Sequence, residues 1–237
     1  AVNKNRLLFD LDTTLSTKFF RKYTSLVHII EPTMEYEYIP SVNHDNIPFF
    51  DSTDSVPQTS TVKYSLTNRI SGLSSPAMES RLRISQSYSF LDVEKRFSPV
   101  LLETSFSSAN FNLRLNSSYD VHDMMITETI ASATLKNEKG YIGIGENYRR
   151  SSSLDQVTFE AGIFNPIAIN NMRIPLDLRG RLRYDLKGNG IQEFRVSSTY
   201  THQCWAMSVS FTKKPLEYQV VFLIELKGLG ALQLGSI

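Results

Sequence analysis

Apolar and polar side chains alternate along most of the chain with the two-residue period of a β-strand whose faces meet different surroundings. The run from Leu216 to Lys227 shows this near the C-terminus, where Glu217, Gln219 and Glu225 occupy the polar face. The apolar face of the run carries Leu216, Tyr218, Val220, Phe222, Ile224 and Leu226. The pattern predicts a closing strand at the edge of a sheet.

The same alternation recurs in about thirteen segments, and no helix of any length is indicated. The connection 41–58 is the longest, and it is rich in Asn, Asp, Ser and Pro, as loops are. The predicted strands are Asn5–Leu15, Ser25–Ile39, Thr59–Ile70, Glu79–Leu91, Val100–Ser107, Asn110–Val121, Met124–Lys136, Gly140–Arg149, Asp155–Phe164, Met172–Leu186, Gln192–His202, Cys204–Lys213 and Leu216–Lys227.

The polar faces of several predicted strands are densely charged. Arg179, Arg181 and Arg183 alternate with apolar residues in one strand, and three carboxylates follow one another on the same face of the strand 25–39. Burying such charges in a dry core would cost several kcal/mol each, so we expect this face to meet water. The residues expected to line a wet lumen are Glu35, Glu37, Arg81, Arg83, Arg114, Arg179, Arg181 and Arg183.

A sheet with one apolar and one wet face is typical of a membrane β-barrel, in which every backbone group is paired. No apolar run approaches the roughly 20 residues of a membrane-spanning helix. A mean hydropathy of −0.21 is compatible with barrel strands, since these are only half apolar. The predicted fold is therefore all-β, an antiparallel transmembrane β-barrel. Because bacterial barrels have an even number of strands, an odd count predicts that the chain forms only part of one.

Two other folds share the alternation. A general porin would close with its own even set of strands. A soluble β-sandwich binding module would bury the apolar rows, including aromatic residues that membrane barrels place in girdles near strand ends. These aromatic residues are Tyr36, Tyr38, Tyr64, Tyr88, Phe90, Tyr119, Tyr148, Tyr200 and Trp205.

The sequence offers no catalytic constellation, metal site or cofactor motif, and we expect no enzyme. The four histidines, His28, His44, His122 and His202, are scattered, and the single cysteine, Cys204, has no partner within the chain. The glycines Gly143 and Gly145 sit in strand pattern without a following helix, which indicates a close-packed or bent strand and not a phosphate loop. A net charge of +1 gives no reason to expect a nucleic-acid partner.

Four segments occur in a characteristic order: HIIEPTMEYEYIPSVNHDNIPFFDS (28–52), RLRISQSYSFLD (81–92), QCWAMSVSF (203–211) and FLIELKGLG (222–230). Together they resemble the C-terminal β-barrel region of the LptD (OstA) family of lipopolysaccharide-assembly proteins in the outer membrane of Gram-negative bacteria. The resemblance implies that residues 1–237 form the second half of a barrel of about 26 strands, without its first half and its periplasmic jelly roll. It also implies an LptE-like plug lipoprotein inside the barrel, a periplasmic bridge that supplies lipopolysaccharide, and an exit between the first and last strands.

Residue by residue, the resemblance makes the run Leu216–Lys227, with Gly228, one side of that lateral gate. In the same run, Tyr218, Phe222 and Gly228 resemble the signal read by the barrel-assembly machinery. Cys204 matches a family cysteine that bonds to an N-terminal cysteine. The family often has two adjacent cysteines, whereas Gln203 precedes Cys204 here, so at most one such link is implied and an unpaired thiol is the alternative.

Overall fold

The computed structural model describes residues 9–41, 57–73, 78–164, 168–169, 172–188, 190–226 and 230–236. This part of the chain contains no helix, and so none that is long and apolar enough to cross a membrane. Its strands are β1 (Leu11–Ser16), β2 (Phe19–Lys22), β3 (Leu26–Ile39), β4 (Thr59–Gly72), β5 (Glu79–Ser89), β6 (Val100–Ser107), β7 (Phe111–Asp120), β8 (Met125–Asn137), β9 (Gly140–Arg149), β10 (Leu154–Phe164), β11 (Ala168–Ile169), β12 (Met172–Arg173), β13 (Leu176–Asp185), β14 (Gly190–Thr201), β15 (Trp205–Lys213), β16 (Tyr218–Leu226) and β17 (Gly230–Ser236).

The strands form one antiparallel meander, which confirms the predicted all-β class. β1 and β2 lie end to end against β3, and each later strand pairs with the next, while β11 and β12 make a small separate hairpin. Counting β1 and β2 as one, the described sheet is 14 strands wide. It fits a segment of a barrel wall but is not closed, because β1 and β2 lie at one edge and β17 at the other.

The predicted closing strand is not the last one in the sheet. β17 follows β16 and pairs with it from Leu226 opposite Gly230 onwards, so the expectation that the run 216–227 forms the edge is wrong. The alternation in 230–236 is too short and too rich in glycine to have been recognised. The added strand also makes the described width even, so the strand count no longer supports the expectation that the chain forms only part of a barrel, and that expectation stays a prediction.

The start of β16 also differs from the prediction. The backbone N–H of Lys214 donates to the carbonyl oxygen of Glu217 at 2.8 Å, which closes a turn with Pro215 at its second position. Leu216 lies in that turn and is 99% exposed, so it does not belong to the strand. Gly228, the other end of the predicted gate strand, lies outside the described residues.

Two other boundaries have local causes. The predicted strand Met172–Leu186 is interrupted at Pro175, which has no N–H to donate to a neighbouring strand, and β13 begins directly after it. The strand predicted from Asn5 starts outside the described residues, and its continuation Phe19–Lys22 was not predicted because charged residues interrupt its alternation.

The register assigns the residues of the main sheet to two faces, since directly opposite residues point the same way. Leu182 lies opposite Phe159 and Phe194. The face that these three residues share is called the apolar face here. Its neighbour Arg181 lies opposite Glu160 and Arg195, and their face is called the polar face.

Burial is inverted relative to a water-soluble domain. In the described part of the chain no apolar side chain is buried, and on the apolar face Leu66 and Ile142 are 50% and 61% exposed. The buried polar side chains include Thr67 and Ser85, which lie on the polar face and are only 5% and 4% exposed. At these positions the polar face is therefore the less exposed of the two. A soluble β-sandwich, which would bury its apolar rows, does not fit this arrangement.

The connections alternate between two ends of the strands, as a meander requires. The connection 40–58 and the turn 121–124 lie at one end, called the loop end here. The turns 108–110, 138–139 and 202–204 lie at the opposite turn end. Aromatic clusters occur at both ends: at the loop end the ring centroids of Tyr88 and Phe90 are 5.1 Å apart, and at the turn end those of Tyr200 and Trp205 are 5.5 Å apart.

Candidate functional site

The charged side chains predicted to line a lumen share the polar face. Arg81 lies opposite Ser105, and Ser105 lies opposite Arg114. From Arg114, directly opposite residues follow one another across the sheet on the same face. They are Ser132 on β8, Gly145 on β9, Thr158 on β10 and Arg183 on β13. By the same register this face holds Glu35, Glu37, Arg81, Arg83, Arg114, Arg179, Arg181 and Arg183. That the shared face encloses a lumen stays a prediction.

Among the described residues, five ion pairs on this face join residues that lie directly opposite each other. Arg181 Nε lies 2.7 Å from Glu160 Oε1, and Arg83 Nη1 lies 3.6 Å from Glu103 Oε2. Such opposite-charge pairs each contribute roughly 0.2–1 kcal/mol to a sheet. The same direct pairing joins Lys63 to Glu35, Arg149 to Glu128 and Arg183 to Glu193. Alternation within single strands showed which residues are polar but not these partners, because pairing depends on register between strands.

A network around Glu193 connects three strands, β13, β14 and β15. The Glu193 carboxylate is buried, and Arg183 and Arg195 each approach it to 3.7 Å. Arg195 Nε also donates to Thr212 Oγ1 at 3.1 Å, and Arg181 lies directly opposite Arg195. Two guanidinium groups thus compensate one buried carboxylate, which would be costly if left alone. Glu193 and Arg195 were not among the predicted residues, although opposite charges two residues apart, as at Asp177 and Arg179, lie on the same face of a strand and indicate such a pair.

Arg81 and Arg114 differ from the other arginines of the polar face in the described residues, which all form ion pairs. Within the described ranges, neither guanidinium has a carboxylate oxygen within 4.0 Å. Both line a pocket of about 240 Å³.

The predicted gate residues lie on the apolar face of β16. Phe222 is opposite Val209, and Ile224 is opposite Met207, so this part of the strand continues the apolar rows of its neighbour β15. Tyr218, Val220 and Leu226 share the face by the same register. The free edge itself belongs to β17, which shields β16 from any neighbour on that side.

Cys204 lies at the turn end, in the turn between β14 and β15, where it is exposed and free. The ring of its neighbour Trp205 stacks on His202 with centroids 5.6 Å apart. A thiol in this position is accessible to a partner outside the chain, as the predicted link requires, and the link stays a prediction.

The glycines of β9 occupy a close-packed strand, as predicted. A Cβ atom on Gly143 would lie 3.3 Å from Thr134 Oγ1, and one on Gly145 would lie 3.3 Å from the carbonyl oxygen of Ala131. Both glycines therefore let β9 pack tightly against β8.

The described histidines lie apart from one another. His28 Nε2 is hydrogen-bonded to Asn68 Oδ1 at 3.1 Å, and His122 Nε2 lies 3.1 Å from the carbonyl oxygen of Phe97. His44 is outside the described residues. In the ranges that the structure covers, no group of three His, Cys, Asp or Glu residues could hold a metal ion.

Comparison with known families shows to which family this chain belongs. A family model described as LptD, LPS transport system D, matches residues 2–173, which is most of the chain. The chain belongs to the LptD family. The predicted resemblance to this family is thereby confirmed, and the segments 28–52 and 81–92 lie within the matched residues.

Named relatives agree with this assignment. The LPS-assembly protein LptD of Burkholderia lata is 22% identical over 276 residues, which cover 98% of this chain and 34% of the relative. The LPS-assembly protein LptD of Burkholderia cenocepacia is 22% identical over 238 residues, covering 86% of this chain and 29% of the relative. The LptD-family chain thus spans about a third of the length of these relatives.

Proposed function

We propose that this chain is part of a larger β-barrel in the outer membrane of a Gram-negative bacterium, and that the barrel delivers lipopolysaccharide to the outer leaflet. The inverted burial of the sheet carries the proposal, since a wall between hydrocarbon and water needs one exposed apolar face and one enclosed polar face. Membership of the LptD family supports the substrate. The proposed function includes no enzymatic step, catalytic residue or cofactor.

The remainder of the wall comes from the part of the protein outside this chain. Both edges of the described sheet present unpaired backbone groups, which cost several kcal/mol each in hydrocarbon. We infer that residues 1–237 are the C-terminal portion of a barrel of about 26 strands, and that the rest of the protein supplies the other strands and a periplasmic jelly roll. The length of the relatives is consistent with this arrangement.

The two-faced wall suggests a route for lipopolysaccharide. Its sugar carries hydroxyl and phosphate groups that are costly to bury in hydrocarbon, so it travels along the polar face. Its acyl chains require an opening to the bilayer, which forms where the β16–β17 hairpin meets the first strand of the barrel. Tyr218, Val220, Phe222, Ile224 and Leu226 then form the apolar wall behind that gate, and β17 forms its edge.

Partners follow from the same arrangement. A barrel of this width needs a plug to stay sealed, and the ion-paired polar face offers it a hydrophilic wall; we propose an LptE-like lipoprotein as this plug. Periplasmic bridge proteins deliver lipopolysaccharide to the jelly roll, and the barrel-assembly machinery inserts the chain by reading the C-terminal strands. Cys204, at the turn end, forms one disulfide with the N-terminal part of the protein.

Cysteine locks in the full-length protein test the gate. One lock joins a cysteine replacing Leu234 on β17 to cysteines scanned along the first strand of the barrel. The control lock, Val209→Cys with Phe222→Cys, joins residues that lie opposite each other within the β15–β16 pair. Each variant is expressed with its plug protein in cells depleted of the native copy, and lipopolysaccharide at the cell surface is measured with and without reductant.

The gate lock should stop surface delivery, and reductant should restore it, while the control lock should have no effect. Surface delivery that continues with β17 fully cross-linked would disprove the gate. Passage of small solutes through the purified barrel without any transport of lipopolysaccharide would favour a general porin.

A further inference from the structure

The basic residues Arg81 and Arg114 form a gap in the ion pairing of the polar face. Arg69, one strand away from Arg81, is paired with Glu31 at 3.7 Å, and Arg83 is paired with Glu103. Arg81 and Arg114 have no such carboxylate among the described residues. Arg81 and Arg114 therefore carry positive charge that no carboxylate of the described sheet neutralises.

The register places these charges side by side. Arg69 lies directly opposite Arg81, and Ser105 separates Arg81 from Arg114. Neighbouring strands are about 4.8 Å apart, so the backbones at Arg81 and Arg114 are roughly 10 Å apart, with the Ser105 hydroxyl between them. Like charges directly opposite each other destabilise a sheet, so this row has a cost that an anion would remove.

The pocket between the two arginines is lined mainly by hydrogen-bond donors. Its volume is about 240 Å³, and its walls include Arg81, Ser105, Arg114 and Asn116. Glu103 also lies at the pocket, but Arg83 approaches its carboxylate to 3.6 Å. The nearest other acid on the same strand face, Glu79, makes no ion pair with Arg81.

We propose that Arg81, Ser105 and Arg114 bind a phosphate group on the sugar of the transported glycolipid, an inference that rests on the proposed function. A phosphate has several acceptor oxygens and a double negative charge, so it can accept hydrogen bonds from two guanidinium groups and a hydroxyl together. One protein carboxylate carries a single negative charge, so it would balance only one of the two guanidinium groups that have no carboxylate partner in the described sheet. A phosphate carries up to two negative charges and therefore matches both, which favours phosphate over a single acidic side chain of a protein.

The test compares two charge-removing double variants of the full-length protein, purified with its plug partner. Arg81→Gln with Arg114→Gln removes the two unpaired charges. Lys63→Gln with Arg149→Gln removes two charges that are paired with Glu35 and Glu128 on the same face. The probes are lipopolysaccharide, the same lipopolysaccharide after phosphatase treatment, and inorganic phosphate as a competitor; a heat-dependent shift in gel mobility checks that each barrel is folded.

Arg81→Gln with Arg114→Gln should weaken binding of phosphorylated lipopolysaccharide about tenfold or more, since two charge-assisted hydrogen bonds are lost, and should leave the dephosphorylated form within about twofold. The control variant should leave both forms within about twofold. Replacing both arginines with lysine should restore part of the affinity, because the charge is kept and the fork is lost.

Equal binding by the wild type and the Gln variant would overturn this inference while leaving the proposed function intact. Loss of the plug protein with phosphate-dependent binding retained would assign the arginines to a protein partner instead. Inorganic phosphate that binds as tightly as the glycolipid would identify a site for free phosphate. If neither form of lipopolysaccharide binds the wild type, the proposed function fails as well.

Discussion

Single residues in this sheet are stabilised by their cross-strand neighbours and not by a buried apolar core. No apolar side chain in the described part of the chain is buried, and five described ion pairs on the polar face join directly opposite residues. Each such pair contributes only roughly 0.2–1 kcal/mol. Large effects of single substitutions are therefore expected only where the backbone itself is in close contact or a buried charge loses its partner.

The same substitution at two glycines separates these cases. A Cβ atom on Gly140 would lie 2.2 Å from the carbonyl oxygen of Gly162, whereas one on Gly180 would meet nothing within 4 Å. Gly140→Ala should therefore destabilise the barrel by about 1–3 kcal/mol because backbone must move, and Gly180→Ala should be close to neutral. The temperature at which the folded band is lost on a gel measures both; equal temperatures would contradict the close approach.

A charge swap tests the pairing of Arg181 with Glu160. Arg181→Glu places two carboxylates directly opposite each other and should lower stability by about 1 kcal/mol. Adding Glu160→Arg restores an opposite-charge pair in reversed order, so the double variant should recover most of the loss. If the double variant is no more stable than Arg181→Glu alone by thermal unfolding, the two side chains do not act as a pair.

At the scale of strands, Pro32 explains why the first strand of the sheet is divided. Pro32 lies in the middle of β3, and its carbonyl oxygen accepts a hydrogen bond from Thr17 N at 3.3 Å. The return bond is missing because proline has no N–H, and the ladder breaks between β1 and β2 at this point. Proline in a central strand is otherwise avoided for the same reason.

Pro32→Ala should join β1 and β2 into one strand. The new N–H at position 32 would face the carbonyl oxygen of Thr17, so hydrogen exchange of the amides around Thr17 and Lys18 should slow. Met34→Ala, on the same face of the same strand, already has its N–H and serves as the control. Unchanged exchange in Pro32→Ala would show that the break has another cause.

Most strands could be predicted from alternation alone, because one face of the sheet is apolar and the other is polar. Val100–Ser107 and Gly140–Arg149 have the same bounds in the structure as in the prediction. The failures are elements whose alternation is short or interrupted: β2 has charges on both faces, and β17 is a run of seven residues in which Leu232 and Leu234 are the only large apolar residues. Pro175 indicates a strand break, but the long alternation of 172–186 favoured one continuous strand in the prediction.

The candidate site was predictable only in part. The alternation of polar and apolar residues within each strand was enough to predict that Arg81, Arg114 and Arg181 share one face. Which of them has an acidic partner depends on how strands are aligned, and turn lengths alone did not fix that alignment over so many pairs. The distinction between the paired Arg181 and the unpaired Arg81 therefore required the structure.

At the scale of the whole molecule, the chain cannot meet two requirements of its sheet by itself. Its apolar face needs hydrocarbon, and its edge strands β1, β2 and β17 need neighbours. By the function proposed above, the remainder of the protein supplies those neighbours, and the family relationship and the length of the relatives are consistent with that proposal. An even width of 14 strands does not provide neighbours for the edge strands, since the described sheet is open.

The chain expressed alone should therefore not give a stable barrel in detergent. Each unpaired backbone group at the two edges costs several kcal/mol in an apolar environment, which exceeds what any single cross-strand pair returns. Co-expression with the missing N-terminal half should provide both neighbours and restore a folded band that shifts on heating. Pairing of β17 with β1 and β2 would remove the same cost within the chain. A heat-modifiable, ion-conducting barrel formed by the isolated chain would therefore show that these residues form a complete pore. That result would contradict their proposed role as half of a larger barrel.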